Sequence, residues 1–392
     1  VSMFSPAPVL LVLLLAAPAG AFETKLSPEM QRHVQSGLDA IYRMEFDAAE
    51  ASARKMIALN PAHPQGSFAL ASVAWTRYVY ETEETDQDLL DPYEKQTWEA
   101  VSVAEKWLKT NPKDPEAMML MGSAYGLSSR LLVMRREWLK AYWNGRKAVG
   151  LLRETVKLAP DYWDAYLGIG MYDYYTDVYQ RAVKVLAKIL FGGSRLRGIE
   201  TLRQVAEKGR YSKNAARLLL VEIYNMDKFG AKNPAVAVSM MKEIRAQYPT
   251  SPMLHAAEIV SLYESGRLDE ALAGAKAYLK AVKDKKYRPI DLAKGSVMLG
   301  TILWGQGHPG DALAAFLRGS EVRYKGKLSR WAVWAAIRAG QVQDTRGRRE
   351  EALVLYKAAA SEPDLWGFRF AAKEGLSKPF RDAGGPGAIQ PP

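Results

Sequence analysis

The stretch SPMLHAAEIVSLYESGRLDEALAGAKAYLK, residues 251–280, contains two helical patterns joined by a short turn. Apolar residues recur at helical spacing over residues 254–262 and again over residues 271–278. Gly266 lies in the turn, and Asp269 stands at the start of the second pattern, where a helix N-terminus favours an acidic side chain. Because neither helix can bury its apolar face alone, the stretch predicts an antiparallel helix pair.

The same unit recurs along the chain. Its turn is repeated as GQGHPGDAL at residues 305–313 and as TRGRREEAL at residues 345–353. A small residue opens the second helix of each unit, where two helix backbones come close; these residues are Ala49, Ala100, Ala148, Gly198, Ala237, Ala271, Ala312 and Ala352. A glycine also recurs in the first helix, at Gly37, Gly122, Gly170, Gly300 and Gly340. The common phase predicts about eight stacked helix pairs.

A helix pair that repeats about every 34 residues, with small residues in this phase, resembles the tetratricopeptide-repeat (TPR) family over residues 28–360. The resemblance implies an all-α fold, a right-handed α-solenoid that binds proteins or peptides on its concave side. In that family, fixed positions of each first helix line the concave groove. Mapped onto this chain, the groove positions include Phe68, Trp75, Met119, Met171, Tyr174, Tyr175, Tyr263, Trp304 and Trp334.

Large apolar and amphipathic side chains in a groove suit a bound peptide or partner helix, so these residues are predicted to bind a partner. Trp75, Tyr174, Tyr175 and Trp304 are expected to be at least partly exposed on one continuous concave side. The alternative is that neighbouring helices or the long units bury them. The lysine and asparagine positions with which some family members hold a C-terminal carboxylate are absent, which disfavours that binding mode.

Three consecutive units are longer than the rest. They span residues 64–114, 115–162 and 163–212 and contain 51, 48 and 50 residues. An antiparallel pair stays in register only if both helices lengthen together or the extra residues form an element of their own. In the first unit, the acidic run 81–91 is expected to be an exposed, solvated tip. In the third, residues 177–191 are expected to form an extra basic amphipathic helix.

The third long unit weakly resembles exported bacterial TPR proteins through its GGSRLRG turn, residues 192–198. Arg195 and Arg197 follow the glycines, so the turn either holds an anion at a helix N-terminus or simply connects two helices. The plain connection is favoured. Asp173 stands at an ordinarily apolar position, and exposure to water is favoured over a hydrogen bond within the neighbouring tyrosines.

The two ends of the chain differ from the repeats. Residues 1–21 hold a short apolar run followed by a small-x-small pattern, which predicts a signal peptide cleaved before Phe22 and a periplasmic or secreted protein. An apolar helix packed on the first repeat is the alternative. The predicted superhelix spans 22–362 with its insertions within 64–212, a capping helix spans 363–382, and 383–392 is predicted to be a disordered tail.

Composition and motifs argue against several classes of chemistry. The chain has no cysteine, which removes disulfides and thiolate sites, and its four histidines are scattered. Phosphate loops, nucleophile elbows and paired acids are absent, so no catalytic residue, metal or cofactor is predicted and no nucleic acid is expected as a partner. A cell-wall glycosidase is disfavoured because it needs an acid pair.

The leading hypothesis is therefore a non-enzymatic scaffold in the cell envelope that binds another protein or peptide in its groove. The net charge of +11 is compatible with an anionic partner. The alternative hypothesis is docking on an anionic membrane surface through the basic segment 177–191.

Overall fold

The computed structural model describes residues 22–182, 193–363, 366–381, 387 and 389. Within them the chain forms seventeen α-helices and one two-stranded hairpin. The helices are α1 Pro28–Arg43, α2 Phe46–Leu59, α3 Pro64–Thr76, α4 Leu90–Thr110, α5 Pro115–Met134, α6 Trp138–Leu158, α7 Tyr166–Ala182, α8 Arg195–Lys208, α9 Lys213–Met226, α10 Pro234–Gln247, α11 Pro252–Glu264, α12 Leu268–Lys283, α13 Asp291–Gly305, α14 Pro309–Ser320, α15 Arg330–Thr345, α16 Arg349–Ser361 and α17 Phe368–Ser377. The antiparallel strands β1 Arg323–Tyr324 and β2 Lys327–Leu328 join α14 to α15.

Consecutive helices pack as eight pairs, from α1 with α2 to α15 with α16, and α17 packs on the last pair. First helices of neighbouring pairs also contact each other, as α3 does α5 and α13 does α15. The first helices therefore form one layer of the stack. This arrangement confirms the predicted all-α solenoid of helix pairs.

Local sequence explains where the helices begin and end. At the start of α11, the Ser251 hydroxyl accepts a hydrogen bond from the backbone N–H of Leu254, and proline occupies the first helical position. In the repeated turns, Gly266, Gly307 and Gly347 adopt left-handed backbone conformations with φ of 76°, 84° and 72°. A side chain is strained in that conformation, which is why glycine recurs at these turns.

The small residues lie at close helix contacts, as the repeat phase predicts. Ala271 and Ala312 are fully buried. A methyl group added at Gly170 of α7 would lie 3.2 Å from the carbonyl oxygen of Gly198 in α8. The two helix backbones therefore approach each other where the sequence places two glycines.

The long units are lengthened in different ways. Helices α5 and α6 contain 20 and 21 residues and extend together, as an antiparallel register requires. In the preceding unit, α3 continues into a π-helical turn, Arg77–Glu81, and a short loop leads to the 21-residue α4. The extra helix predicted for residues 177–191 lies largely outside the described residues, so that prediction stays open.

The solenoid is curved so strongly that its first helix pair contacts its fifth and sixth pairs. The Tyr42 ring in α1 lies 5.1 Å from that of Tyr248, which precedes α11, and the Tyr248 hydroxyl donates a 2.7 Å hydrogen bond to Asp39. Arg210 contacts Gln31 across 179 residues of sequence. This curvature brings the second pair opposite the seventh and eighth.

Candidate functional site

The nine predicted groove residues fall into separate clusters. Tyr263, Trp304 and Trp334 share one large apolar cluster in the last pairs. Met171, Tyr174 and Tyr175 share a second, and Phe68, Met119 and Trp75 belong to three others. The nine residues are thus divided among five separate apolar clusters and do not form one continuous surface.

Exposure differs among these nine residues. Trp75 and Tyr175 are partly exposed as expected, but Tyr174 and Trp304 are buried, so the expected exposure is wrong for these two. Trp334 is buried as well. The Tyr174 hydroxyl donates a 2.9 Å hydrogen bond to the buried Asp227, and burial raises the pKa of that hydroxyl. The buried rings contact other residues of the chain. Whether any of the nine binds a partner stays a prediction.

At the C-terminal end, the chain's own residues cover the groove. The Arg338 guanidinium lies 4.9 Å from the ring centre of Trp304 and 5.9 Å from that of Trp334. Tyr263 donates a 2.7 Å hydrogen bond to the carbonyl of Gly387, and the Trp334 indole donates one of 3.3 Å to that of Ile389. The described residues of segment 383–392 therefore occupy the aromatic positions predicted to hold a partner.

The acidic run of the first long unit is the main departure from the sequence-based expectation. Thr82, Glu83, Thr85 and Asp86 are buried, so residues 82–86 are not the exposed tip predicted for this run. We call residues 82–86 the acidic loop. It lies against α13, the β1–β2 hairpin and the start of α15, more than 200 residues away in sequence. The curvature of the solenoid brings these cationic elements to the loop.

Each acidic side chain of the loop has a cationic or indole partner. Glu83 accepts hydrogen bonds from the Lys294 ammonium group and, at 3.0 Å, from the Trp331 indole N–H. The Glu84 carboxylate accepts a 2.6 Å bond from the Arg330 guanidinium. Asp86 pairs with Lys325 in the hairpin at 2.6 Å. The loop carboxylates are thus held individually by different elements.

Backbone atoms add to these contacts. The Thr85 hydroxyl accepts a 3.1 Å hydrogen bond from the backbone N–H of Arg330, and the Glu84 carbonyl accepts one of 3.1 Å from the Trp366 indole. The carbonyl of Tyr80, just before the loop, accepts a 2.7 Å bond from Arg288. The surface that receives the loop therefore recognises both its charges and its main chain.

The acidic loop is held in an unfavourable state. Glu83 and Glu84 have φ values of 50° and 57°, in the left-handed region that non-glycine residues rarely occupy. Burial raises the pKa of the Glu84 carboxyl, although the charge of Arg330 opposes this shift. Backbone strain and desolvation both oppose this conformation. The contacts of the loop with α13, the β1–β2 hairpin and the start of α15 compensate for them.

The glycine turn at residues 192–198 begins outside the described residues, so whether it connects two helices stays a prediction. The backbone N–H of Arg195 donates a 2.8 Å hydrogen bond to the Asp177 carboxylate, so the protein itself supplies an anion at this helix N-terminus. Asp173 is buried and accepts two hydrogen bonds from Arg197, of 2.5 and 2.9 Å. Its expected exposure to water is wrong, because the Asp173 side chain is buried and its carboxylate is paired with Arg197.

A second surface feature lies on the long helices of the second and third pairs. Trp98, Trp138, Leu139 and Trp143 are each between 40% and 70% exposed, and we call them the aromatic patch. Trp98 of α4 and Trp143 of α6 line a surface depression of about 320 Å³, beside which α6 begins. Large apolar side chains exposed in one region mark interaction surfaces more often than isolated ones do.

The aromatic patch was missed at the sequence level, although a signal for it was present. The buried residues of α6 include Ala141, Ala148 and Leu152. Leu139 and Trp143, one turn apart, lie off the face that those residues define. A helical projection of α6 would therefore have flagged both as apolar side chains without a core position.

Among the described residues, no group of three or more histidine, aspartate or glutamate side chains is arranged to hold a metal ion. Helix α5 is long and apolar enough to cross a membrane by length and composition, but half of it is buried between neighbouring helices. Such a helix also fits the core of a helical stack.

No known protein-family profile matches the sequence, and no curated protein does. Among solved structures, a tetratricopeptide-repeat protein from Parabacteroides merdae is similar at 15% identity, over 76% of this chain and 95% of that one, with a TM-score of 0.34. Yeast Tom70 is similar at 11% identity over 90% of both chains, with a TM-score of 0.42.

TTC0263, a thermophilic TPR protein of Thermus thermophilus, is similar at 16% identity over 64% of this chain and 90% of that one, with a TM-score of 0.25. At these identities and TM-scores, none of the three indicates what this chain binds. By its eight helix pairs and their repeated glycine turns, the chain resembles the tetratricopeptide-repeat proteins.

Proposed function

We propose that this chain is a non-enzymatic scaffold that binds another protein through the aromatic patch of its long helices. One observation carries the proposal: Trp98 and Trp143 are exposed at the edge of a depression between α4, α5 and α6, and Trp138 and Leu139 are exposed on the first turn of α6. The concave positions favoured from the sequence are, in contrast, partly or wholly covered by the chain itself. A partner can therefore reach the patch without any rearrangement of the scaffold.

The surroundings of the patch suit a protein partner. Arg135 pairs with Glu94 at 2.5 Å and with Asp91 at 3.0 Å, and Lys140 pairs with Glu137 at 2.5 Å. The patch thus has an apolar centre and a rim of paired positive and negative charges. Protein interfaces commonly combine tryptophan-rich centres with polar rims of this kind.

The proposal is tested by removing the patch and asking which bound proteins are lost. The patch variant is Trp138→Ala, Leu139→Ala and Trp143→Ala together. The matched control is Leu196→Ala with Phe370→Ala, which removes two other exposed apolar side chains. Each protein is used as bait in cell-envelope extracts of its native organism, and captured proteins are quantified by mass spectrometry. Circular dichroism first verifies that both variants are folded.

A specific partner should be retained by the wild-type and control proteins and reduced about tenfold or more on the patch variant, because interface tryptophans contribute more than 1 kcal/mol each on truncation. Equal capture of the partner by all three baits would show that the partner does not bind through the patch. The purified pair is then assayed by calorimetry, which shows whether the interaction is direct.

Membrane docking through residues 177–191 is the competing proposal. Sedimentation with anionic vesicles, compared with neutral vesicles, distinguishes the two. A protein scaffold stays in the supernatant with both. Sedimentation with anionic vesicles that is abolished by charge reversal of Arg181, Lys184 and Lys188 would favour the membrane instead.

Envelope location is part of the proposal and rests on the apolar run and small-x-small pattern within residues 1–21. Mass spectrometry of the protein purified from its native organism should find Phe22 at the N-terminus. An N-terminus within residues 1–21 on the exported protein would contradict the proposed cleavage site.

A further inference from the structure

We propose that the inner surface formed by Arg288, Lys294, Lys325, Arg330 and Trp331 is a binding site for an extended acidic segment of a partner protein. The acidic loop, residues 82–86, occupies this site until such a segment displaces it. The site shares no residue with the aromatic patch, so the two proposals are independent and fail separately.

We call the surface formed by these five residues the strip. Its residues come from several separate elements. Arg288 precedes α13, Lys294 lies within α13, Lys325 lies in the hairpin, and Arg330 and Trp331 open α15. The Lys294 side chain is 11% exposed, and its carboxylate partner Glu83 is 5% exposed. A buried ammonium group is stable only beside an anion, so this strip requires an acidic occupant.

The occupant indicates what kind of ligand the strip accepts. Carboxylates at Glu83, Glu84 and Asp86 each meet a separate cation, while the Glu84 carbonyl and the Thr85 hydroxyl meet an indole and a backbone N–H. Closely spaced carboxylates with main-chain acceptors between them are what an acidic peptide presents. Phosphate esters of a nucleic acid lack those main-chain acceptors.

The acidic loop is also suited to being displaced. It is a loop between a π-helical turn and a short 3₁₀ turn, so its release does not require a long helix to unfold. Two successive residues, Glu83 and Glu84, have left-handed backbone conformations. A separate peptide is not constrained to this turn, so replacing the loop by a peptide releases the strain, which favours the exchange.

The covalent attachment of the acidic loop to the chain opposes its replacement by a free peptide. A loop held in the same chain has an effective concentration on the order of millimolar, so a free peptide competes poorly with it. Binding should therefore be weak in the wild-type protein and strong once the loop loses its charges. A partner anchored elsewhere on the scaffold would present its acidic segment at a comparable local concentration.

The test uses a fluorescein-labelled peptide with the sequence of residues 80–88, YETEETDQD. Its control is the amide peptide YQTQQTNQN, which has the same shape without the charges. The loop variant of the full chain carries Glu83→Gln, Glu84→Gln and Asp86→Asn. The strip variant adds Lys294→Glu and Arg330→Glu to those changes. Binding is measured by fluorescence anisotropy at two salt concentrations.

The acidic peptide should bind the loop variant about tenfold or more tightly than the wild-type protein, because the tethered competitor is removed. The strip variant and the amide peptide should lose that binding. A folded loop variant that does not bind the acidic peptide overturns the site. Equal affinity in the wild-type and loop variants overturns the role of the loop as occupant.

A measurement on the unaltered protein covers the case in which the loop variant does not fold. Hydrogen exchange of residues 82–89 is followed in the wild-type chain with millimolar acidic peptide. Faster exchange of this segment with the acidic peptide, and not with the amide peptide, supports displacement. Unchanged exchange at a peptide concentration that saturates anisotropy, or the same acceleration with a polyphosphate, overturns the proposed peptide site.

Discussion

The ammonium group of Lys294 in the seventh helix pair contacts the carboxylate of Glu83 in the second pair, 211 residues away in sequence. Both side chains are largely buried, so removing either one leaves the other charge without its partner. We expect Lys294→Met and Glu83→Gln each to destabilise the fold. The two changes together should cost less than their sum, with a coupling energy of about 1 to 3 kcal/mol.

Urea denaturation of the four proteins in this double-mutant cycle measures that coupling. The matched control is the Lys325 and Asp86 pair, because Lys325 is largely solvent-exposed. Its coupling should be clearly smaller, since water screens an exposed charge. Equal couplings for the two pairs would show that burial does not govern the contact between the loop and α13.

Tyr174 provides a prediction about the interior. Its ring is buried and its hydroxyl bonds to Asp227, so Tyr174→Ala should lower the free energy of unfolding by about 3 to 5 kcal/mol. Tyr174→Phe should lower it by about 1 kcal/mol, the loss of one hydrogen bond. Tyr175→Ala, at the partly exposed neighbour, is the control and should cost less than Tyr174→Ala. Similar losses for the two alanine variants in thermal denaturation would contradict this account.

His255 makes stability depend on pH. Burial, reinforced by the charge of Arg245, lowers the pKa of His255 from 6.5 to about 4, and its Nδ1 lies 3.0 Å from the hydroxyl oxygen of Tyr287. Between these two pKa values the unfolded chain takes up a proton that the folded chain excludes. The stability contributed by neutral His255 is therefore present above pH 6.5 and is lost as the pH falls towards 4.

His255→Gln removes this titration and keeps a side chain that can bond to Tyr287. We expect the wild-type protein to lose about 1 to 3 kcal/mol more than the variant between pH 7 and pH 4. Denaturant unfolding of both proteins across this range provides the comparison. Parallel pH profiles would show that His255 titrates alike in the folded and unfolded chains.

Interactions within one repeat unit can be predicted from the sequence, whereas contacts between distant units cannot. The repeat phase was predictable because its causes, such as the turn at Gly266 and the helix contact at Ala271, lie within one unit. The burial of Glu83 was not, because its partner Lys294 belongs to a helix pair five units later. Periodicity reports which side of a helix is apolar, but it does not report what the superhelix brings opposite that side.

The same limit applies to the candidate binding residues. Trp304 and Trp334, which the repeat phase assigns to the groove, are covered by contacts with Arg338 and, for Trp334, with Ile389. Whether a ring at such a position is open or covered depends on long-range contacts. The part of the aromatic patch on α6, in contrast, could be predicted from the sequence of that helix alone, because Leu139 and Trp143 lie off its buried face.

The last prediction concerns the closest helix approach in the third long unit. A methyl group on Gly198 would lie 2.6 Å from the backbone nitrogen of Tyr174 and 2.7 Å from the carbonyl oxygen of Gly170. These are backbone atoms, so α7 and α8 would have to move apart to admit it. We expect Gly198→Ala to destabilise the protein by about 1 to 3 kcal/mol, despite alanine's higher helix propensity.

Gly150 of α6 is the matched control, because a methyl group there meets no heavy atom within 4 Å. Gly150→Ala should stabilise the protein by up to about 1 kcal/mol through helix propensity alone. Urea denaturation of the two variants should therefore give shifts of opposite sign. Two shifts in the stabilising direction would mean that α7 and α8 are farther apart in solution than the repeat phase requires.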